Sequence, residues 1–131
     1  MIYIIWIIIF LALIILFIFR NKKKKLTTSQ KKEITRFFNK IKKSKSNKEK
    51  IIDFDKLFHK ILIELWYKWS FWEILKKEPK EVINLNKIWE LHKLRNNLVH
   101  QFNNEKDDFL EKKVKEYIKE INLILQGAPW G

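Results

Sequence analysis

Cysteine is absent from the 131 residues, so neither a disulfide nor a thiolate metal site can form. That fits a reducing compartment. Glycine and proline are scarce, with only Gly127 and Gly131, Pro79 and Pro129. Turn-rich β folds lean on Gly, Pro and Asn-Gly pairs. Their scarcity, with no strand pattern and no internal repeat, predicts an all-α chain of long helices. Because no glycine precedes residue 127, a Gly-rich phosphate loop is excluded. Three histidines without close carboxylates do not make a metal site, so no metal and no cofactor is expected. Nothing resembles a Ser-His-Asp arrangement.

What is abundant is positive charge, and its placement matters more than its size. The formal net charge is +13. From Arg20 to Lys50, 14 Lys and Arg face two acids; from Ile51 to Gly131, 14 face 13. The high pI is therefore no sign that the C-terminal part grips nucleic acid. Apolar residues are also concentrated. Ile2 to Phe19 carries no charged side chain over 18 residues. As a helix it spans about 27 Å, close to the ~30 Å hydrocarbon core of a bilayer. A small domain cannot cover a helix that is apolar all round. No basic n-region precedes the run and no small-x-small site follows it, so it reads as an uncleaved anchor rather than a signal peptide.

Residues 1–20 thus form the expected transmembrane anchor. Tyr3 and Trp6 suit one interface, and Arg20, Lys22, Lys23, Lys24 and Lys25 mark the other. With the positive flank C-terminal, the chain is expected to be single-pass in the inner membrane with its C-terminal domain in the cytoplasm. Residues 21–50 read as a basic juxtamembrane connector. Thr27-x-x-Gln30 is a capping box, and Ile34, Phe37, Phe38 and Ile41 follow at helical spacing. That stripe either lies on anionic lipid or packs on the domain or a sister chain. Ser44 to Lys50 reads as a flexible link.

Residues 51–126 read as a small helical bundle. Ser46-x-x-Glu49 opens a helix expected to reach Trp69, with Phe54, Leu57, Phe58, Ile61, Leu62, Leu65 and Trp66 as its apolar face and His59 at its surface. The aromatic cluster Trp66, Tyr67, Trp69, Phe71, Trp72 is expected in the core or on a dimer face, with a membrane interface as the alternative. Ser70-x-x-Glu73 caps a short helix that stops before Pro79. A third main helix carries Trp89 to Gln101, Phe102 to Lys106 reads as a loop, and the last helix spans about Asp107 to Gln126 with Gly127 as its C-cap. Residues 127–131 read as a loose tail in which Trp130 has no assigned role. About 80 residues bury a modest core, so a homodimer is expected.

The stretch Trp89 to Gln101 decides the functional reading. It holds two of the three histidines and the only arginine after Arg36. His92, Asn96 and His100 form one polar stripe, while Ile88, Leu91, Leu98 and Val99 take the neighbouring face. On a straight helix Arg95 lies about 140° from His100. The two converge only if the helix ends or bends near Val99, or if a second subunit supplies one of them.

Arg95-Asn96-Asn97-Leu98-Val99-His100, with Trp89-Glu90-Leu91-His92-Lys93-Leu94 before it and Ile51 to Leu57 opening the domain, resembles the HEPN superfamily (higher eukaryotes and prokaryotes nucleotide-binding), in its short, membrane-anchored bacterial form. The likeness covers roughly Ile51 to Gln126. It implies a module that binds RNA or nucleotide, and many such proteins are dimeric, metal-independent endoribonucleases. Carried over, His100 would be the acid/base and Arg95 would stabilise the phosphorane charge. Asn96 would orient His100 or bind phosphate. His92 has no family role and is a candidate supporting residue behind the site. The alternative is a non-catalytic, membrane-tethered interaction or scaffold protein, in which Arg95 and the histidines bond backbone carbonyls or acids such as Glu90. The nearly neutral domain favours that alternative, since RNA binding favours a basic groove.

Overall fold

The computed structural model describes residues 1–22, 24–100 and 105–127. Lys23, the expected loop residues Phe102 to Asn104, and the tail with Trp130 lie outside the described residues. Among the described residues six helices follow in order: α1 (Ile2–Asn21), α2 (Thr28–Lys42), α3 (Asn47–Glu64), α4 (Phe71–Lys76), α5 (Leu85–His100) and α6 (Asp107–Leu125). The chain is all-α, with no strand among the described residues. α1 is long and apolar enough to cross a membrane, and none of it is buried against the protein.

The remaining helices pack around α3, which touches α2, α5 and α6. Bonds at the helix ends give their directions. Asn47 Nδ2 donates to Asp107 Oδ1 at 3.0 Å, so α3 and α6 start side by side and run parallel. Gln30 Nε2 donates to Glu64 Oε2 at 2.7 Å, joining the start of α2 to the end of α3. Asn84 Nδ2 donates to Glu120 Oε1 at 2.9 Å, so α5 begins where α6 is ending. α2 and α5 are thus antiparallel to α3 and α6.

The stripe on α2 packs on the domain. Ile34 and Phe38 are buried, Phe37 and Ile41 lean on the same core, and the Phe38 and Phe54 ring centroids lie 5.7 Å apart. Burying each side chain is worth about 2 kcal/mol, which an exposed stripe would forgo. The packed unit therefore begins before Ile51, within the stretch read as a connector. α3 starts at Asn47 with Ser46 as its N-cap, where its motif places it, so the link from α2 stops at Ser46 and does not reach Lys50.

Local chemistry sets the helix boundaries. Thr27 with Gln30 and Ser70 with Glu73 form complete capping boxes. At Ser46 only half the box forms, because the Glu49 carboxylate accepts from Ser44 Oγ instead. α3 ends at Glu64 rather than Trp69. The Trp66 N–H bonds Ile63 O, the Tyr67 N–H bonds Leu62 O, and Trp66 sits at φ 76°, a Schellman ending. A tryptophan takes the left-handed position that glycine usually fills, at a cost of about 1–2 kcal/mol. Trp66 consequently leaves the apolar face of α3 and is 70% exposed. Of the aromatic cluster, only Phe71 is buried; Tyr67 is half-buried, and Trp69 and Trp72 are exposed. Glu78 (φ 50°) and Gly127 (φ 73°) end α4 and α6 in the same left-handed manner.

Candidate functional site

Three helices meet at one carboxylate. Asp55 on α3 is 3% exposed. Tyr117 of α6 donates its hydroxyl to Asp55 Oδ1 at 2.6 Å. His92 of α5 places Nδ1 3.1 Å from both carboxylate oxygens. Arg95, one turn further along α5, holds Nε 3.7 Å from Oδ2. That separation makes an ion pair but not a hydrogen bond, so the buried Nε is left without a bonded acceptor. A buried charge is tolerated only when paired and bonded, and Asp55 has all three partners for that purpose.

The network then closes on itself. Arg95 Nη1 donates to Asn96 Oδ1 at 2.9 Å. The Asn96 amide nitrogen lies 3.4 Å from His92 Nε2. With Arg95 occupying the amide oxygen, Asn96 donates to Nε2, and His92 carries its hydrogen on Nδ1 toward Asp55. The His92 ring also stacks on Phe71, with centroids 4.5 Å apart and planes 5° from parallel. Burial, followed by the neighbouring Asp55 charge and the bond to it, pushes the Tyr117 phenol well above its usual range. Tyr117 therefore acts as a fixed donor to Asp55.

The structure brings Arg95, Asn96 and His92 into one cluster and leaves His100 out of it. His100 is the last residue of α5 and is exposed. Among the described residues no hydrogen bond joins it to Arg95, Asn96 or Asp55. Val99 beside it is exposed too, unlike the buried Ile88, Leu91 and Leu98. Glu90 is not the acid that meets Arg95 or a histidine. It accepts from Lys113, and from Lys87 at 3.0 Å, and Lys113 also reaches Glu116 at 3.1 Å. The Lys113 bond, then the Lys87 bond, hold the Glu90 carboxyl below its usual range. His59 is half-buried, with Nε2 3.1 Å from Trp69 O.

Comparison with protein-family models, curated proteins and solved structures gave no match.

Asp55 and Tyr117 escape a reading that searches α5 alone. Each carries a signal, since each is a polar group inside an apolar stripe. Asp55 lies between Phe54 and Leu57 on the packed side of α3, and Tyr117 lies between Val114 and Ile121 on α6. Among the described residues, no group of three His, Asp or Glu side chains gathers in a way that could hold a metal. The oxygens of Asp55 are instead taken up by Tyr117, His92 and Arg95.

At the other end of the bundle, the chain leaving α1 is tied down. Lys80 Nζ donates to Arg20 O at 3.3 Å and to Asn21 Oδ1 at 2.6 Å, and the Lys24 N–H donates to Glu81 Oε1 at 3.0 Å. Lys24 and Lys25 also line a cavity of about 220 Å³ with Leu65, Ile124 and Gly127. α5 begins just after this latch and runs about 24 Å to His100.

Proposed function

We propose that the chain is a membrane-anchored, HEPN-like module that binds RNA or nucleotide and, as a homodimer, cleaves RNA without a metal. In this reading α1 sits in the inner membrane, and the basic flank from Arg20 to Lys25 keeps the bundle in the cytoplasm. One observation carries it. Arg95 is a partly exposed cation whose Nε is paired with a buried carboxylate, while His100 stands unshielded at the end of the same helix. A fixed guanidinium supports the charge on a phosphorane, and a free imidazole can move the proton of a ribose hydroxyl. Because the Arg95 cluster and His100 are separate within one chain, the pairing comes from a second copy. His100 also lies at the end of α5 remote from the anchor latch, facing the solvent where RNA would approach.

The closed ring of Asp55, His92, Asn96 and Arg95 favours a second reading, a tethered interaction module in which Arg95 is purely structural. One assay separates the two. The full chain in detergent is incubated with single-stranded RNA and no metal, beside its His100→Ala variant. The nuclease reading expects cleavage by the first and none by the second, and recovery when His100→Ala is mixed with Arg95→Lys. A folded wild-type chain that neither binds nor cuts RNA overturns it and leaves the interaction module.

A further inference from the structure

Two loops are joined to each other and to the chain leaving α1, and both present apolar side chains to solvent. The first, between α3 and α4, exposes Trp66 and Trp69; the second, between α4 and α5, exposes Ile83. Tyr67 joins them by donating its hydroxyl to Glu81 Oε2 at 2.7 Å. The Lys24 N–H donates to the other oxygen of Glu81, and Lys24 Nζ lies 4.9 Å over the Tyr67 ring. The latch from Lys80 to Arg20 and Asn21 completes the connection. The exposed tryptophans thus begin where α1 ends.

Their composition is that of a bilayer interface. Lys77 Nζ sits 3.1 Å over the Trp69 ring, and Lys68 and Lys80 are exposed in the same two loops. Tryptophan suits the headgroup level because its ring is apolar and its N–H is polar, and lysine beside it attracts anionic lipid. Trp66 also takes a left-handed backbone position and stands 70% exposed.

Resting on the reading of α1 as a membrane anchor, we infer that Trp66, Trp69 and Ile83, with Lys68, Lys77 and Lys80, form a second membrane contact that seats the bundle on an anionic lipid surface. The anchor sets location, and this patch sets tilt. Arg95 and His100 are thereby presented at a fixed height above the lipid.

The absence of cysteine makes the test clean. Ile14→Cys, Trp66→Cys and Lys112→Cys variants of the full chain are each labelled with a fluorophore in vesicles containing headgroup-level nitroxide lipid, either neutral or anionic. Position 14 lies within α1, and Lys112 is exposed near the far end of α6. In anionic vesicles, quenching at position 66 is expected to be at least about twofold that at position 112, and to fall in neutral vesicles. Equal quenching at 66 and 112 overturns the inference when position 14 is protected from an aqueous quencher. Position 14 open to that quencher overturns the anchor itself. Protection of position 66 from the aqueous quencher without lipid quenching, lost at one chain per vesicle, assigns the patch to a second copy and also overturns the lipid contact.

Discussion

Replacing Asp55 by alanine removes the group that the hydrogen bonds of Tyr117 and His92 and the ion pair of Arg95 share. Tyr117 Oη and His92 Nδ1 lose hydrogen bonds, and Arg95 Nε loses the counter-charge 3.7 Å away. Each stranded donor costs about 1–3 kcal/mol, and breaking a buried ion pair from one side costs about 3–5 kcal/mol. The larger range is the appropriate one here, because the carboxylate is almost fully enclosed. For a bundle of this size that is on the order of half the total stability, and a fall in Tm of about 15–25 °C. The assay is near-ultraviolet circular dichroism of the full chain in detergent, which reads aromatic packing rather than helix content. Tyr117→Phe removes a single donor and should cost about 1 kcal/mol. Because that change also removes one stranded group, Asp55→Ala combined with Tyr117→Phe should cost less than the two added together. An Asp55→Ala chain that melts within about 3 °C of wild type would refute the reasoning, since no carboxylate holding three helices could be dispensed with so cheaply.

Trp66→Gly should raise Tm by about 5 °C in detergent, by relieving roughly 1 kcal/mol of left-handed strain at a site with little burial to lose; no rise, or a fall, would show that the ring is supported. Ser70→Ala removes the cap of the six-residue α4 and should cost about 1 kcal/mol, read from the same melts. Alkali should unfold the bundle in a tyrosine-dependent way. Burial, helped by the bond to and charge of Glu81, raises Tyr67, and burial beside Asp55 raises Tyr117. Stability from such groups is complete below pH 10.0 and drains away above it, because the unfolded chain gives up the protons first. Tyr117→Phe should therefore flatten the fall of Tm above pH 10.0, and the tyrosinate absorbance of Tyr67 and Tyr117 should appear with unfolding rather than ahead of it.

The helices were legible because punctuation and period agree. Thr27, Ser46 and Ser70 cap where their motifs place them, and Gly127 closes α6. The end of α3 was not legible, because a Schellman turn normally advertises itself with glycine and here the position is Trp66. The destination of the α2 stripe was open for a different reason. An apolar stripe looks the same whether lipid or protein covers it, and only the tertiary fit of Ile34 and Phe38 against α3 decides. At the site, helical geometry placed His92 beside Asn96 and turned Arg95 away from His100. It could not supply Asp55, 37 residues before His92, or Tyr117, 62 residues after Asp55. Contacts between distant segments leave no local period, only an acid and a phenol where an aliphatic side chain would serve as well.

The shared carboxylate also bears on how the bundle chooses one arrangement. Leucine and isoleucine accept many neighbours, so a slipped α5 would find oily surface almost anywhere along α3. It would find an acceptor for His92 and a counter-ion for Arg95 at a single place. A rotation of one residue, about 100°, parts all of these groups together. Asp55 thus works as a key whose shape rejects near-miss packings that grease alone would tolerate.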